Sequence, residues 1–197
     1  MNKLFSILLV LVATLSYGQK NMGIGLKGGS LNGITFKKYS NVSDIEINLG
    51  TTYTPYAINY KQYFNTVWIE KNSYILSDYD YRGHVIYQPV ALQVRLLFHK
   101  NLNKIGDENI TGLQWYYGIG GQLGSRTIDF IYRYKGGPDL IARHRDIDLG
   151  ADGIIGLEYT FDQVPIALFL DVNLFMELAD DPFFFWFQGG LGARYRF

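Results

Sequence analysis

From Met22 to the end of the chain, apolar residues fall at every second position, the spacing that puts them on one face of a β-strand. Met22, Ile24, Leu26 and Gly28 alternate with Gly23, Gly25, Lys27 and Gly29, and Ile34 and Phe36 alternate with Gly33, Thr35 and Lys37. These two runs predict a hairpin turning at Ser30 to Asn32. A third run sets Ile45, Ile47, Leu49, Thr51 and Tyr53 against Glu46, Asn48, Gly50 and Thr52. A fourth sets Val90, Leu92, Val94, Leu96 and Phe98 against Ala91, Gln93, Arg95 and Leu97, its phase lost upstream of Pro89, where a proline marks a bulge or a strand edge. The fifth carries Leu113, Trp115, Tyr117, Ile119, Gly121 and Leu123 on one face. The sixth carries Leu149, Ala151, Gly153, Ile155, Leu157, Tyr159 and Phe161. The seventh carries Ile166, Leu168, Leu170, Val172 and Leu174, and the eighth carries Phe185, Phe187, Gly189, Leu191, Ala193, Tyr195 and Phe197.

Ahead of these strands lies a different pattern. Lys3 precedes an apolar run from Leu4 to Leu15, and the small residues Ser16 and Gly18 fit a signal-peptidase site with cleavage before Gln19. The run is shorter than the ~20 apolar residues of a helical span. The expected organisation is a signal peptide over 1–18 and one β domain over 19–197. With no later apolar run of helical-span length, a closed barrel is the remaining way for this chain to cross a membrane.

Alternation by itself does not say which face is inside. A soluble barrel buries the apolar face; a membrane barrel turns it to lipid and fills its lumen with the other. The non-apolar face carries Lys27, Lys37, Arg95, Arg194 and Arg196 against Glu46, Asp148, Asp152, Glu158 and Asp171, an even balance set among glycines. A narrow lumen needs both features, because buried charges must be paired and long side chains need room. Phe98, Trp115, Tyr117, Tyr159, Phe161, Tyr195 and Phe197 fall at one end of the apolar face, as an aromatic girdle at a membrane boundary would. Connection lengths alternate too: short links at 39–44, 99–112 and 162–165 face one side, and longer loops at 54–83 and 125–146 face the other. The fold expected is all-β, an eight-stranded antiparallel up-and-down transmembrane β-barrel.

The segments "GIGLKGGSLNGITFKKY", "LQWYYGIGGQLG", "DGIIGLEYTF" and "GGLGARYRF" resemble the small eight-stranded outer-membrane barrel proteins of the Bacteroidota type, over nearly the whole chain after the leader. The resemblance implies export, residence in the outer membrane of a Gram-negative bacterium, and insertion by the barrel-assembly machinery. It implies that Tyr195 and Phe197 are the assembly signal. It implies no single activity, since the fold hosts anchors, adhesins, secretion parts and a few lipid enzymes. The aromatic-rich stretch from Thr54 to Gly83 departs from the family pattern.

Composition narrows the chemistry. With 18 Lys+Arg against 18 Asp+Glu and no Cys, the chain offers no basic excess for nucleic acid and no thiolate for catalysis, metal or disulfide. The three histidines, His84, His99 and His144, lack metalloprotease spacing, and neither metal nor cofactor is expected. Glycines in "GIGLKGG" and "GIGGQLG" repeat at strand period and lack the Lys-Ser/Thr end of a phosphate loop. Ser125, His144 and Asp146 are the one set that would serve an enzyme of the membrane rim, against the plainer reading of residues 143–146 as a solvated strand top.

Tyr60, Tyr63, Phe64, Trp68 and Tyr74, with Arg133 and Lys135 near a hairpin tip at Gly136-Gly137, make the candidate external binding surface. The expected partners are outer-membrane lipid and lipopolysaccharide, with an envelope protein or extracellular glycan as a further class. Three readings stand at this point: a non-enzymatic barrel with a filled, charge-paired lumen and binding loops; a lipid-modifying enzyme with a rim histidine; and a soluble periplasmic barrel carrying an apolar ligand inside.

Overall fold

The computed structural model describes residues 21–52, 59–72, 78–102, 104–105, 108–109, 111–179 and 183–197. The leader, with its cleavage position, lies outside the described residues, as do Tyr53 and Tyr74. Among the described residues the barrel strands are β1 (Met22–Gly29), β2 (Leu31–Lys38), β3 (Asp44–Thr52), β4 (Tyr79–Asn101), β5 (Leu113–Tyr134), β6 (Asp139–Thr160), β7 (Ile166–Glu177) and β8 (Phe185–Arg196), and Lys104–Ile105 pairs with Glu108–Asn109 as a separate short ribbon. Each pairs antiparallel with its sequence neighbour, and β1 pairs with β8 from Gly23↔Arg196 to Gly29↔Gly190, so the sheet closes on itself. The last residue completes the seam: Phe197 and Met22 exchange backbone hydrogen bonds of 2.9 and 3.1 Å. Over the height shared by all eight strands, closure pairs each strand on both sides and leaves no sheet edge.

The barrel is inverted. Leu26, Ile34, Leu49, Leu92, Ile119, Ile155, Leu170 and Leu191 point outward and are exposed, whereas Lys27, Thr35, Lys37, Glu46, Asn48, Gln93, Arg95 and Arg194 point inward and are buried. Trp115 and Tyr117 also face outward, which reverses the orientation that an internal apolar carrier would require.

Strand lengths divide the molecule. A β-strand crosses a bilayer in ~9–11 tilted residues. β1, β2, β3, β7 and β8 have 8 to 12 residues, while β4, β5 and β6 have 22 or 23. The upper halves of β4 to β6 therefore stand beyond the barrel as a three-stranded wall. Residues 125–146, expected as a loop, are instead the top of the β5–β6 hairpin. Its turn is tight: Lys135 and Gly136 have φ of 43° and 74°, and Gly137 N donates to Tyr134 O at 2.8 Å. These are the positive φ values of a hairpin turn matched to strand twist.

The wall joins the barrel at a bulge. Tyr87 pairs with Thr127 and Val90 with Ser125, so Gln88 and Pro89 together oppose Arg126. A proline donates no hydrogen bond to a ladder, and the extra residue removes the need for one. It also inverts the alternation of β4, which is why the pattern upstream of Pro89 could not be extended from below. A second irregularity falls between Tyr81 and Gly83.

A short helix, α1 (Tyr60–Phe64), continues as a wider π-turn over Asn65–Glu70. Asn59 begins it, accepting from Gln62 N through its side chain at 3.2 Å. This helical segment packs against the inner face of the wall, where Phe64 and Ile69 meet Ile128, Phe130, Tyr132 and Ala142.

Candidate functional site

The interior is organised by the inward positions of all eight strands. Near the end that holds both termini, Lys37 on β2 lies 2.9 Å from Glu158 on β6 and 3.5 Å from Asp44 at the start of β3. Lys37 Nζ also donates to His99 Nε2 at 2.9 Å. The other ring nitrogen of His99 faces Asp44 at 3.0 Å. An ammonium has hydrogens only to donate, so this arrangement places the ring hydrogen on Nδ1, toward the carboxylate.

One layer further in, Arg194 on β8 bridges Glu46 and Glu158, the latter at 3.0 Å. Arg95 on β4 lies 3.3 Å from Glu46, 3.1 Å from Asp152 and 3.6 Å from Asp171. Lys27 on β1 reaches across to Asp171 on β7 at 2.6 Å. The guanidinium of Arg194 sits 3.7 Å from the ring centre of Phe169, and Tyr116 donates to Asp171 at 3.4 Å. Burial makes pairing compulsory, since a single unpaired charge in this environment costs several kcal/mol. From Lys37 to Lys27 the ions link seven strands through side chains alone, and Tyr116 joins the eighth.

Above the ions lies a layer of amides. Gln93 donates to Gln122 at 2.6 Å, and Asn173 donates to Gln188 at 2.8 Å and to Asp152 at 3.2 Å. Asn48 donates to Glu46 at 2.8 Å. Inward glycines leave space for the largest side chains. A Cβ on Gly120 would stand 2.3 Å from Asp152 Oδ1 and 2.8 Å from Arg95 Cγ, and one on Gly156 would stand 2.4 Å from Tyr116 Cζ.

Asp148 and Arg196 fall outside the main cluster. Asp148 faces Arg126 at 3.1 Å, near the end from which the wall rises, where Arg126 also pairs with Asp146. Arg196 lies at the opposite end, its guanidinium 4.1 Å from the Tyr39 ring centre and donating to Thr160 at 3.2 Å. Asp44, His99, Asn48, Gln93, Gln122, Asn173 and Gln188 join the interior without having been singled out from sequence as members of the network. Strand parity was the available signal, because each is an even number of residues from an inward charge on its own strand.

The girdle aromatics pair along the outer face. Phe98 stacks on Tyr117 with centroids 5.6 Å apart, Trp115 lies 5.4 Å from Tyr117, Tyr159 4.9 Å from Phe161, and Tyr195 6.5 Å from Phe197.

The external aromatics require a correction. Phe64, expected on an exposed loop surface, is 1% exposed and belongs to the core under the wall, with Trp68 packed beside it. Tyr60 stacks on His84 at 3.9 Å, and Tyr63 donates to Asp146 at 3.0 Å. The physical reason is the wall itself: its inner face is apolar above the barrel mouth and needs a cover, which the aromatic face of α1 provides. Arg133 and Lys135 remain at the wall's rim, 2.8 Å from Asp139 and 3.4 Å from Asp78.

Histidine chemistry at the rim also takes a definite shape. Ser125 lies on the outward face of β5, paired with Ile147, whereas His144 and Asp146 point inward. His144 Nε2 is 3.4 Å from the Tyr63 hydroxyl. The three residues thus lie on opposite sides of the sheet and form no proton relay. His84 Nδ1 shares a 2.8 Å hydrogen bond with the Tyr81 hydroxyl, and partial desolvation holds its pKa below the ordinary imidazole value. On the outer side of the wall, two 2.7 Å hydrogen bonds from Arg143 hold the Asp129 carboxyl below the usual carboxylate range.

No protein-family model and no curated protein matches this chain. Among solved structures it is similar to the crystal structure of Neisserial surface protein A, at 11% identity over 89% of this chain and 93% of that one, with a TM-score of 0.39.

Proposed function

We propose that this protein is a non-enzymatic outer-membrane barrel of the small Bacteroidota type, exported on a cleaved leader, whose ion-paired interior serves as a structural plug and whose external wall is its working surface. The observation that carries this reading is the division of strand lengths. Three adjacent strands continue for about ten residues past the other five, and α1 packs on their inner face. Below the wall the outward positions of the eight strands are uncharged apart from Lys38 and Lys100 at the lower ends of β2 and β4, as lipid contact with a charged boundary allows. An eight-stranded barrel is only just wide enough for its own side chains. Here those side chains are paired ions and amides, which supports anchorage over solute passage.

Two measurements on one preparation test this. The refolded protein in planar lipid bilayers should give no stepwise conductance, and a peptide tag inserted between Gly136 and Gly137 should be labelled on intact cells by a membrane-impermeant reagent. A steady open-pore current, or a tag that reacts only after the outer membrane is permeabilised, would overturn the reading.

A further inference from the structure

On the outward surface, the uncharged belt ends on β6 in a cation. Ile147 and Leu149 are about half exposed, and two residues above Ile147 on the same face stands Arg145. Arg143 follows two residues higher, but its charge is matched by Asp129 through two 2.7 Å hydrogen bonds. Arg145 has no carboxylate within ion-pair distance among the described residues; its one hydrogen bond is a long one, 3.5 Å to Ser125 Oγ.

Among the described residues, no strand pairs with β6 above Gly150 on the side of Arg145 away from β5. β7 ends at Glu177, and Leu178 N makes the last bond to β6, to Leu149 O at 2.8 Å. The β7–β8 hairpin then turns back with Phe183 74% and Phe187 77% exposed. Among the described residues an unmatched guanidinium therefore stands at the upper limit of an apolar ledge on β6.

We propose that Arg145 holds the phosphate of an acylated lipid of the outer leaflet, with the acyl chains lying on Ile147, Leu149 and the Phe183 side. A guanidinium binds phosphate through two parallel charge-assisted hydrogen bonds, and the unpaired side of β6 leaves its fork free to make them. The uncharged positions beneath Arg145 set the depth at which a head group meets the ledge. This inference rests on the membrane-spanning reading given above.

The test uses the full mature chain refolded in detergent, titrated with bisphosphorylated lipid A and followed by native mass spectrometry. Wild type should retain lipid A adducts, Arg145→Gln should weaken them about tenfold, and Arg145→Lys, which keeps the charge without the fork, should fall between. Arg82→Gln, at an exposed cation 3.3 Å from Asp80, should bind as wild type does. Dephosphorylated lipid A should bind weakly and alike to wild type and Arg145→Gln. Equal adducts in wild type and Arg145→Gln, or equal losses in Arg145→Gln and Arg82→Gln, would overturn the proposal. Displacement of lipid A by excess inorganic phosphate, with no dependence on acyl chains, would replace it with a simple anion site. A heat-dependent gel shift for each variant reports barrel closure separately, so failure of the membrane barrel itself is read apart from failure of the lipid site.

Discussion

Lys27 and Asp171 meet at 2.6 Å although β1 and β7 share no ladder: β8 lies between them, and the ion pair passes over its Gly190, where a Cβ would stand 2.5 Å from Lys27 Cε. Such a contact ties strands two apart by charge where backbone bonding cannot reach. Residues in direct contact within one network couple by about 0.5–3 kcal/mol. A double-mutant cycle of Lys27→Met and Asp171→Leu, read from urea unfolding of the reconstituted barrel, should give a coupling of at least about 1 kcal/mol. Additive losses would mean that the two side chains do not act as a pair.

The glycines of the two faces should respond differently to a methyl group. Gly156→Ala places a Cβ against the Tyr116 ring and the Leu170 carbonyl, so overpacking should cost about 1–3 kcal/mol. Gly153 faces outward with nothing within 4 Å, and Gly153→Ala should be tolerated. The same unfolding measurement decides this; equal effects at the two positions would contradict the inward packing of Tyr116.

Phe64 fixes the helical segment to the wall. Phe64→Ala removes its packing against Phe130, Tyr81 and Tyr132, whose ring centres lie 5.3 to 5.7 Å away. Large-to-small changes of this kind cost about 3–5 kcal/mol. Because the barrel below has its own cross-links, the loss should appear as local release. Limited proteolysis should cut within residues 59–72 much faster in the variant while the heat-dependent gel shift persists. A variant that loses the shift would place Phe64 in the stability of the whole barrel.

The attachment of α1 should also weaken in acid. His84 shares a hydrogen bond with Tyr81 and stacks on Tyr60, and partial desolvation lowers its pKa from the ordinary value of about 6.5. With the helix released, the ring binds a proton more readily than when docked. The stabilisation is therefore complete above the ordinary imidazole range and is lost as pH falls through the lowered value. Cleavage of residues 59–72 should rise between about pH 7 and about pH 5 in wild type, and His84→Phe should abolish that rise. A wild-type rate independent of pH would contradict it.

The strands below the wall were legible because lipid outside and ions inside impose a strict period of two. Lys27, Glu46 and Arg95 stood out as the only charges on their face of each run, and Asp152 and Arg194 shared theirs only with Asp148, Glu158 and Arg196. The wall was not legible for two reasons. Its inner face is covered by α1, so aromatic residues on strand and helix read as one polar-poor loop, and the bulge at Gln88–Pro89 shifts the phase of β4 at the boundary. Asp44 and His99 were assigned to links because they sit at strand ends, where alternation is too short to read. Phe64 was misplaced for a related reason, since a five-residue helix presents too few turns to establish a buried face.

The most direct test of the account concerns Trp115, which faces outward on β5 beside Tyr117. Trp68 and Trp186 can be replaced by Phe to leave it as the sole indole of the chain, which has three. In vesicles containing lipids brominated along the acyl chain, Trp115 fluorescence should be strongly quenched, while aqueous iodide should have little effect. Emission insensitive to brominated lipid, in a chain that remains soluble without detergent, would contradict the inverted barrel.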